Sequence, residues 1–208
     1  MSNMYIPEQY KNENLAEIRD FIRSHPFGSL VSQVDAKPWA THIPLELETD
    51  EEGRDWLVGH ISKANRQWRG LTGQEKVLCI FMGPHSYISS SWYREEEVPT
   101  WDYIAVHAYG ALQFQENSEL YRSLDRLLTR FESSSENPVS LSALSKNTLR
   151  QIKGIVGFRI AVSEFRAAYK LSQGRPSDHA SIIRALEATG DPDAMAVARA
   201  IRVHGRAS

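Results

Sequence analysis

The hydrophobic and polar residues of this chain repeat with two different periods, which predicts a mixture of helices and strands. Apolar residues three or four positions apart predict amphipathic helices over residues 14–25 and 117–132. Between these helices, apolar residues at every second position predict about five short strands joined by turns. Further helices are predicted around 141–153, 177–189 and 192–204, with a long closing strand or a bent pair of strands over 154–172.

Two proline positions are expected to interrupt the alternating pattern. Alternation is strict over residues 39–47, but Pro44 cannot donate to a neighbouring strand, so we expect an edge or a bulge there. The strand beginning near Lys76 is expected to break at Gly83-Pro84. A third alternating segment collects its apolar residues on one face: Ile104, Val106, Ala108, Leu112 and Phe114.

The order of these elements favours one fold class. Strands separated by turns rather than by helices favour an antiparallel sheet that closes into a small barrel over a doubly wound parallel sheet. No strand-following GxGxxG and no Walker A pattern is present in the sequence. We therefore predict an α+β protein with a barrel domain over residues 1–175 and a helical tail over 176–208.

Composition and charge narrow the expected partners. The net charge of −2 and the pI near 6.4 do not favour DNA or RNA as a partner, although the tail carries several arginines. The single cysteine, Cys79, lies in an apolar run and fits a core residue in the reducing cytoplasm. We expect no membrane association, because no apolar run approaches the ~20 residues of a membrane span. The N-terminal residues also lack the pattern of a secretory signal.

The segment "GHISKANRQW", residues 59–68, is predicted to join a strand to the start of a helix. Unpaired N–H groups at a helix start favour an anion, and Ser62, Lys63 and Asn65 would add a hydroxyl, a charge and an amide. In the simpler interpretation, Ser62 or Asn65 caps the helix and Lys63 is solvated. The segment by itself favours the cap.

Four histidines lie in or beside predicted strands: His42, His60, His85 and His107. Their spacings match no compact zinc motif, so structural or ligand-lining roles are favoured over a metal or haem site. No arrangement of a nucleophile with a base is recognisable around Cys79.

Two further segments carry chemistry of their own. The aromatic residues Trp92 and Trp101 flank an acidic loop, which indicates a protein interface, a stacked planar ligand or simply a core patch. "YKLSQGR", residues 169–175, places a polar and basic cluster at the end of the last strand, where a solvated strand exit is the simplest interpretation.

Seven segments in order resemble the PaiB family, whose members are described as FMN-binding negative transcriptional regulators. The segments are "MYIPEQY", "HPFGSLVSQ", "WATHIPL", "GHISKANRQW", "VLCIFMGPHSYISSSWY", "VPTWDYIAVHAYG" and "YKLSQGR". The resemblance runs over roughly residues 4–175. It implies the antiparallel split β-barrel of the FMN-binding type, shared with pyridoxamine-phosphate oxidases, and a homodimer that binds FMN at the subunit interface.

The resemblance also implies which residues hold the cofactor. In split-barrel flavoproteins a basic, hydroxyl-containing segment after a strand holds the FMN phosphate, and here that segment is Ser62-Lys63 with Asn65 nearby. Family members often have Ala and Pro where this chain has Ser62 and Arg66, and these changes keep an anion site.

The other implied cofactor residues are Thr41, His42 and Ile43 through their backbone, His60 beside the site or in the barrel packing, Trp92 and Trp101 from the other subunit, and Lys170 and Gln173 at the last strand. Lys170 and Gln173 stand where the oxidases end in Arg-Leu-x-Pro, so oxidase activity on pyridoxamine phosphate is not expected.

Three functions follow from this resemblance. The first is an FMN-binding protein resembling PaiB-type transcriptional regulators, although the sequence shows no helix-turn-helix. The second is a flavin-dependent oxidoreductase that uses NAD(P)H. The third and weakest is a haem-binding split barrel that uses one of the histidines.

Overall fold

The computed structural model describes residues 4–71 and 73–205, and within these ranges the alternating segments form eight strands. The strands are β1 (Lys11–Asn12), β2 (Phe27–Val34), β3 (Lys37–Pro44), β4 (Glu46–Thr49), β5 (Asp55–Ser62), β6 (Lys76–Ile88), β7 (Thr100–Phe114) and β8 (Ile155–Lys170). The α-helices are α1 (Leu15–Ser24), α2 (Asn117–Glu132), α3 (Lys146–Leu149), α4 (His179–Ala188) and α5 (Pro192–His204). The α+β class predicted from the sequence is confirmed.

The strands form one antiparallel sheet in the order β3-β2-β6-β7-β8-β5-β4, and β1 pairs with β8. β3 and β4 are the two edge strands of this order. In the described ranges no backbone hydrogen-bond ladder joins them. The sheet is therefore open, whereas the sequence pattern predicted a sheet that closes into a small barrel. Within the described residues, no helix is long and apolar enough to cross a membrane.

The chain divides into two compact units. We call residues 22–80 and 108–164 the central unit, and the described residues within 1–21, 81–107 and 165–208 the terminal unit. The separation of a domain over 1–175 from a tail over 176–208 stays a prediction.

A tight hairpin organises one edge of the central unit. Asp35 and Ala36 join β2 to β3 with φ angles of 52° and 58°, the left-handed values of a two-residue hairpin turn. The register pairs Leu30 with Thr41, so each strand turns alternate residues towards the core. The alternating segment over residues 39–47 is interrupted at Pro44, as predicted. β3 ends at Pro44, and the N–H of the next residue, Leu45, donates to the Pro26 carbonyl at 2.8 Å.

The terminal unit contains most of α1 and the two C-terminal helices. The tail helices predicted at 177–189 and 192–204 are confirmed, with α4 preceded by a 3-10 turn over Pro176–Asp178. Their apolar faces are fully buried at Ile182, Leu186, Val197 and Ile201. Burial of such apolar stripes is the main stabilisation of amphipathic helices this short.

Two sequence predictions of secondary structure are wrong. β6 runs without a break from Lys76 to Ile88 through Gly83-Pro84, because proline is compatible with a strand wherever its nitrogen faces no carbonyl acceptor. The helix predicted over 141–153 is divided into short turns. Ser145 explains the division, because its hydroxyl accepts the Thr148 N–H at 3.1 Å and starts a new helical turn there.

Candidate functional site

The strand-to-helix junction at residues 59–68 is a capped turn. β5 ends at Ser62, and Asn65 caps a five-residue 3-10 helix over Arg66–Gly70 by accepting the Gln67 N–H at 2.9 Å. The N–H groups of Ala64 and Asn65 are also occupied, by the Ser62 hydroxyl and carbonyl. Most N–H groups of this junction are therefore already paired within the chain, and an anion seat made of free N–H groups stays a prediction.

The side chain of Lys63 projects from a backbone that is held on both sides. Its N–H donates to the Gly154 carbonyl at 2.8 Å, and its carbonyl accepts the indole N–H of Trp68 at 2.9 Å. Lys63, Arg66 and Arg69 are all exposed on this junction. Positive charge at the end of β5 is thus supplied by side chains rather than by a helix dipole.

Thr41 and Asn65, predicted separately, meet in one hydrogen-bonded network. The Thr41 hydroxyl accepts the Asn65 amide N–H at 2.8 Å and donates to the Gln67 side-chain oxygen at 2.5 Å. Gln67 is fully buried, and its amide nitrogen lies 3.1 Å from the Leu30 carbonyl and 3.0 Å from the Ser32 hydroxyl. Gln67 therefore fixes the junction to the β2–β3 hairpin.

The remaining predicted residues of the central unit differ in exposure. Ile43 is buried, whereas His42 on the opposite face is exposed and its Nδ1 lies 2.8 Å from the Ser29 hydroxyl. His60 is half-buried opposite Gly157 of β8, and burial lowers the pKa of its imidazole. His60 is consequently neutral at neutral pH and is able to accept or donate a hydrogen bond.

The terminal unit holds the other predicted residues. Trp101 is 54% exposed and its ring centroid lies 6.0 Å from that of Tyr87, whereas Trp92 is half-buried. The Lys170 ammonium donates to the Thr100 hydroxyl and, at 2.6 Å, to the Trp101 carbonyl. Lys170 is therefore bound within the unit rather than solvated at a strand exit.

Gln173 belongs to the turn that follows β8. Its side-chain oxygen accepts the Leu171 N–H at 2.8 Å, and its amide donates to the Tyr169 carbonyl. This side chain closes its own turn, which is a structural role. Cofactor binding by Gln173 stays a prediction.

Asp102 is a buried carboxylate that the sequence reasoning missed. It is 0% exposed, and its Oδ2 accepts the Ser172 hydroxyl at 2.6 Å, whereas its Oδ1 has no hydrogen-bond partner among the described residues. Burial raises the pKa of the Asp102 carboxyl, and the Ser172 hydroxyl and the Lys170 charge oppose that shift. Extending the alternation of buried residues from Ile104 by one step towards the N-terminus would have found it.

Replacing Asp102 with Asn is expected to remove part of the pH dependence of stability. Because the folded-state pKa of Asp102 is raised, its contribution to the free energy of unfolding is present below the unfolded pKa and is lost as pH rises through the folded pKa. Each pKa unit of the shift is worth ~1.4 kcal/mol. Urea unfolding at several pH values between about pH 4 and pH 8 measures the free energy of unfolding as a function of pH. The same dependence on pH in Asp102→Asn and in the unchanged protein would contradict the prediction.

The other candidate reactive groups have structural environments. Cys79 is fully buried, and burial raises the pKa of its thiol well above the ordinary range, which suits a core residue. No group of three or more His, Cys, Asp or Glu side chains within 4–71 and 73–205 is arranged to hold a metal ion.

Comparisons with known proteins agree on a flavin-binding family. A family model described as "Putative FMN-binding domain" matches residues 4–164. The chain is 43% identical over 197 residues to "Protease synthase and sporulation protein PAI 2" of Bacillus subtilis (strain 168), and the match covers 94% of this chain and 95% of that protein.

Two solved structures show the same fold at low sequence identity. One is the FAD and heme binding protein from Mycobacterium smegmatis, with 15% identity, a TM-score of 0.61 and coverage of 77% of this chain and 73% of that chain. The other is the flavocytochrome Anf3 from Azotobacter vinelandii, with 12% identity, a TM-score of 0.56 and coverage of 81% and 74%. With the family match over most of its length, the chain belongs to the PaiB family of FMN-binding proteins with the flavin split-barrel fold.

Proposed function

We propose that Lys63 pairs with the phosphate of FMN and that β3 faces the flavin ring. The observation that carries the proposal is the exposed ammonium of Lys63 on a backbone held by Gly154 and Trp68. Within the described residues, Lys63 has no carboxylate partner. A fixed backbone with an unpaired ammonium suits a phosphate. Because the backbone is already ordered, binding of the anion costs less conformational entropy.

The edge position of β3 fits the second half of the proposal. β3 ends the strand order and pairs only with β2 among the described ladders, so the N–H and C=O groups of its other edge are available. A flavin ring carries both donors and acceptors along its edge and can pair with such a strand. Thr41, His42 and Ile43 lie on this part of β3, and the alternation of the ladder turns the backbone groups of His42 towards the free edge and those of Thr41 and Ile43 towards β2.

Bound FMN would supply hydride or electron transfer, and the residues of this chain would orient it. The Thr41–Asn65–Gln67 network fixes the hairpin and the junction relative to each other, so that phosphate and ring contacts keep a constant separation. His60, neutral and half-buried on β5, is available as a polar contact beside them.

We also propose that the protein is a cytoplasmic homodimer with a regulatory role. Large apolar side chains of the terminal unit are exposed: Met82, Tyr87, Val98 and Trp101. The rings of Tyr87 and Trp101 lie 6.0 Å apart, and exposed neighbouring aromatic side chains favour contact with a second copy of the chain. Covering of the flavin by Trp92 and Trp101 stays a prediction. The regulatory role rests on the resemblance to the PaiB family, and the Bacillus subtilis relative is named "Protease synthase and sporulation protein PAI 2".

Lys63→Ala is expected to weaken FMN binding by about tenfold to a hundredfold and riboflavin binding far less. A charge-assisted hydrogen bond contributes about 1.5–3 kcal/mol, and only FMN carries the phosphate that would receive it. Quenching of flavin fluorescence during titration of the purified protein measures both affinities. The matched control is Lys76→Ala, which removes another exposed lysine of the central unit.

Three outcomes of this titration would count against the proposal. The first is that the unchanged protein does not bind FMN. The second is that FMN and riboflavin lose affinity equally in Lys63→Ala, and the third is that Lys76→Ala has the same effect as Lys63→Ala. The proposed homodimer is checked separately by the mass of the protein in solution.

A further inference from the structure

The terminal unit contains a cavity of about 440 Å³ beside the buried carboxylate of Asp102. Its walls include aromatic, hydroxyl and charged side chains: Tyr10, Tyr93, Thr100, Asp102, Lys170 and Arg175. The volume is within the range of sites for small organic ligands. None of the contacts proposed for FMN in the central unit uses it.

One oxygen of Asp102 is left for a ligand. Ser172 has a φ of 58°, a left-handed value that costs a non-glycine residue of order 1 kcal/mol, and its hydroxyl donates to Oδ2 at 2.6 Å. Oδ1 has no partner among the residues that the structure describes, although Asp102 is fully buried. A buried acceptor without a donor is costly, and a ligand N–H would remove that cost.

One N–H of Lys170 is also left. An ammonium has three N–H donors, and among the described residues those of Lys170 serve the Thr100 hydroxyl and the Trp101 carbonyl, so one remains. The ammonium lies 5.9 Å from the centre of the Tyr10 ring, on the wall of the cavity. The cavity therefore offers an acceptor at Asp102 and a donor at Lys170.

The charges around the cavity balance. Arg175 is ion-paired with Glu97, and Lys170 offsets the carboxylate of Asp102 through its charge. A charged ligand of either sign would meet two attracting and two repelling side chains among Asp102, Glu97, Lys170 and Arg175, so the cavity favours neither sign. A neutral ligand with an N–H beside a C=O matches both free groups without adding charge.

We propose that this cavity binds a neutral carboxamide, with its N–H on Asp102 Oδ1, its carbonyl on the Lys170 ammonium and its apolar part against Tyr10 and Tyr93. The site shares no residue with the FMN contacts proposed for the central unit and does not depend on them. It does reassign Lys170, which the family resemblance implied as a cofactor contact, to a different ligand.

The test compares three probes of equal size on the full-length protein, first without FMN and then with FMN added: benzamide, benzylamine and benzoate. Ligand-observed NMR titration at neutral pH is expected to rank benzamide first. Asp102→Asn and Lys170→Met are each expected to weaken benzamide at least tenfold. The matched control is Asp178→Asn, because Asp178 is a buried carboxylate of the same unit outside this cavity, and that variant is expected to keep benzamide binding.

Several results would overturn the proposal. Tighter binding of benzylamine would show a cation site, and tighter binding of benzoate would show an anion site. Absence of benzamide binding in a folded protein, or unchanged binding in both cavity variants, would remove the site. If FMN displaces benzamide, the cavity belongs to the flavin site. A failure of the FMN proposal is distinguished because it appears in the FMN titration and leaves benzamide binding unchanged.

Discussion

Gly110→Ala is expected to lower the free energy of unfolding by about 3 kcal/mol or more. A Cβ on Gly110 in β7 would lie 2.3 Å from the Ala161 carbonyl oxygen and 2.7 Å from Ile160 Cγ2 in β8. Overpacking a core typically costs about 1–3 kcal/mol. The cost here is at the upper end, because the obstacle is a backbone carbonyl, which cannot move without disturbing the strand that carries it.

Thermal unfolding measures this effect. For a chain of this size, about 3 kcal/mol corresponds to a fall in Tm of roughly 6–12 °C. Gly154→Ala is the matched control, because a Cβ there meets nothing within 4 Å. A Tm of Gly110→Ala within about 2 °C of the unchanged protein would show that β7 and β8 separate more easily than their close approach indicates.

The same contact matters for the flavin site. β8 pairs with β5 from Trp56–Ala161 to Ser62–Ile155, and the Gly154 carbonyl just before β8 holds the Lys63 N–H. A displacement of β8 by the new Cβ would therefore reach the backbone of Lys63. We expect a folded fraction of Gly110→Ala to bind FMN more weakly than the unchanged protein.

Periodic segments explain why much of the fold could be predicted. Helix α2 begins and ends where the pattern predicted, at Asn117 and Glu132, and a capping box between Glu116 and Glu119 marks its start. The predictions failed where a local side chain or a neighbouring strand decided the structure. Ser145 restarts a helical turn, and at Gly83-Pro84 β6 continues where proline alone indicated a break.

The contacts of the candidate site could be predicted from the sequence less well than the fold. Thr41 and Asn65 are 24 positions apart, and only the folded hairpin and junction bring their side chains to 2.8 Å. Gln67 is fully buried although glutamine is normally exposed, and no local pattern of the short turn Arg66–Gly70 indicates that burial. Asp102 differs, because the alternation of buried residues along β7 includes its position, and it was missed only because that alternation was not followed to the start of the strand.

Gln67→Met is expected to lower the free energy of unfolding by about 3 kcal/mol and to weaken FMN and riboflavin by a similar factor. Methionine keeps most of the side-chain volume but cannot bind the Thr41 hydroxyl, the Leu30 carbonyl or the Ser32 hydroxyl. Each buried polar group left unpaired costs about 1–3 kcal/mol. Urea unfolding gives the stability, and the exposed Gln33→Met on β2 serves as the control.

The two flavins separate the role of Gln67 from that of Lys63. Gln67 holds Thr41 on β3, the strand proposed to face the ring, and the ring is common to FMN and riboflavin. Loss of Gln67 should therefore reduce both affinities alike, whereas loss of Lys63 should reduce that of FMN alone. If Gln67→Met weakened FMN selectively, the network would support the phosphate contact rather than the ring contact, and β3 would lose its proposed role.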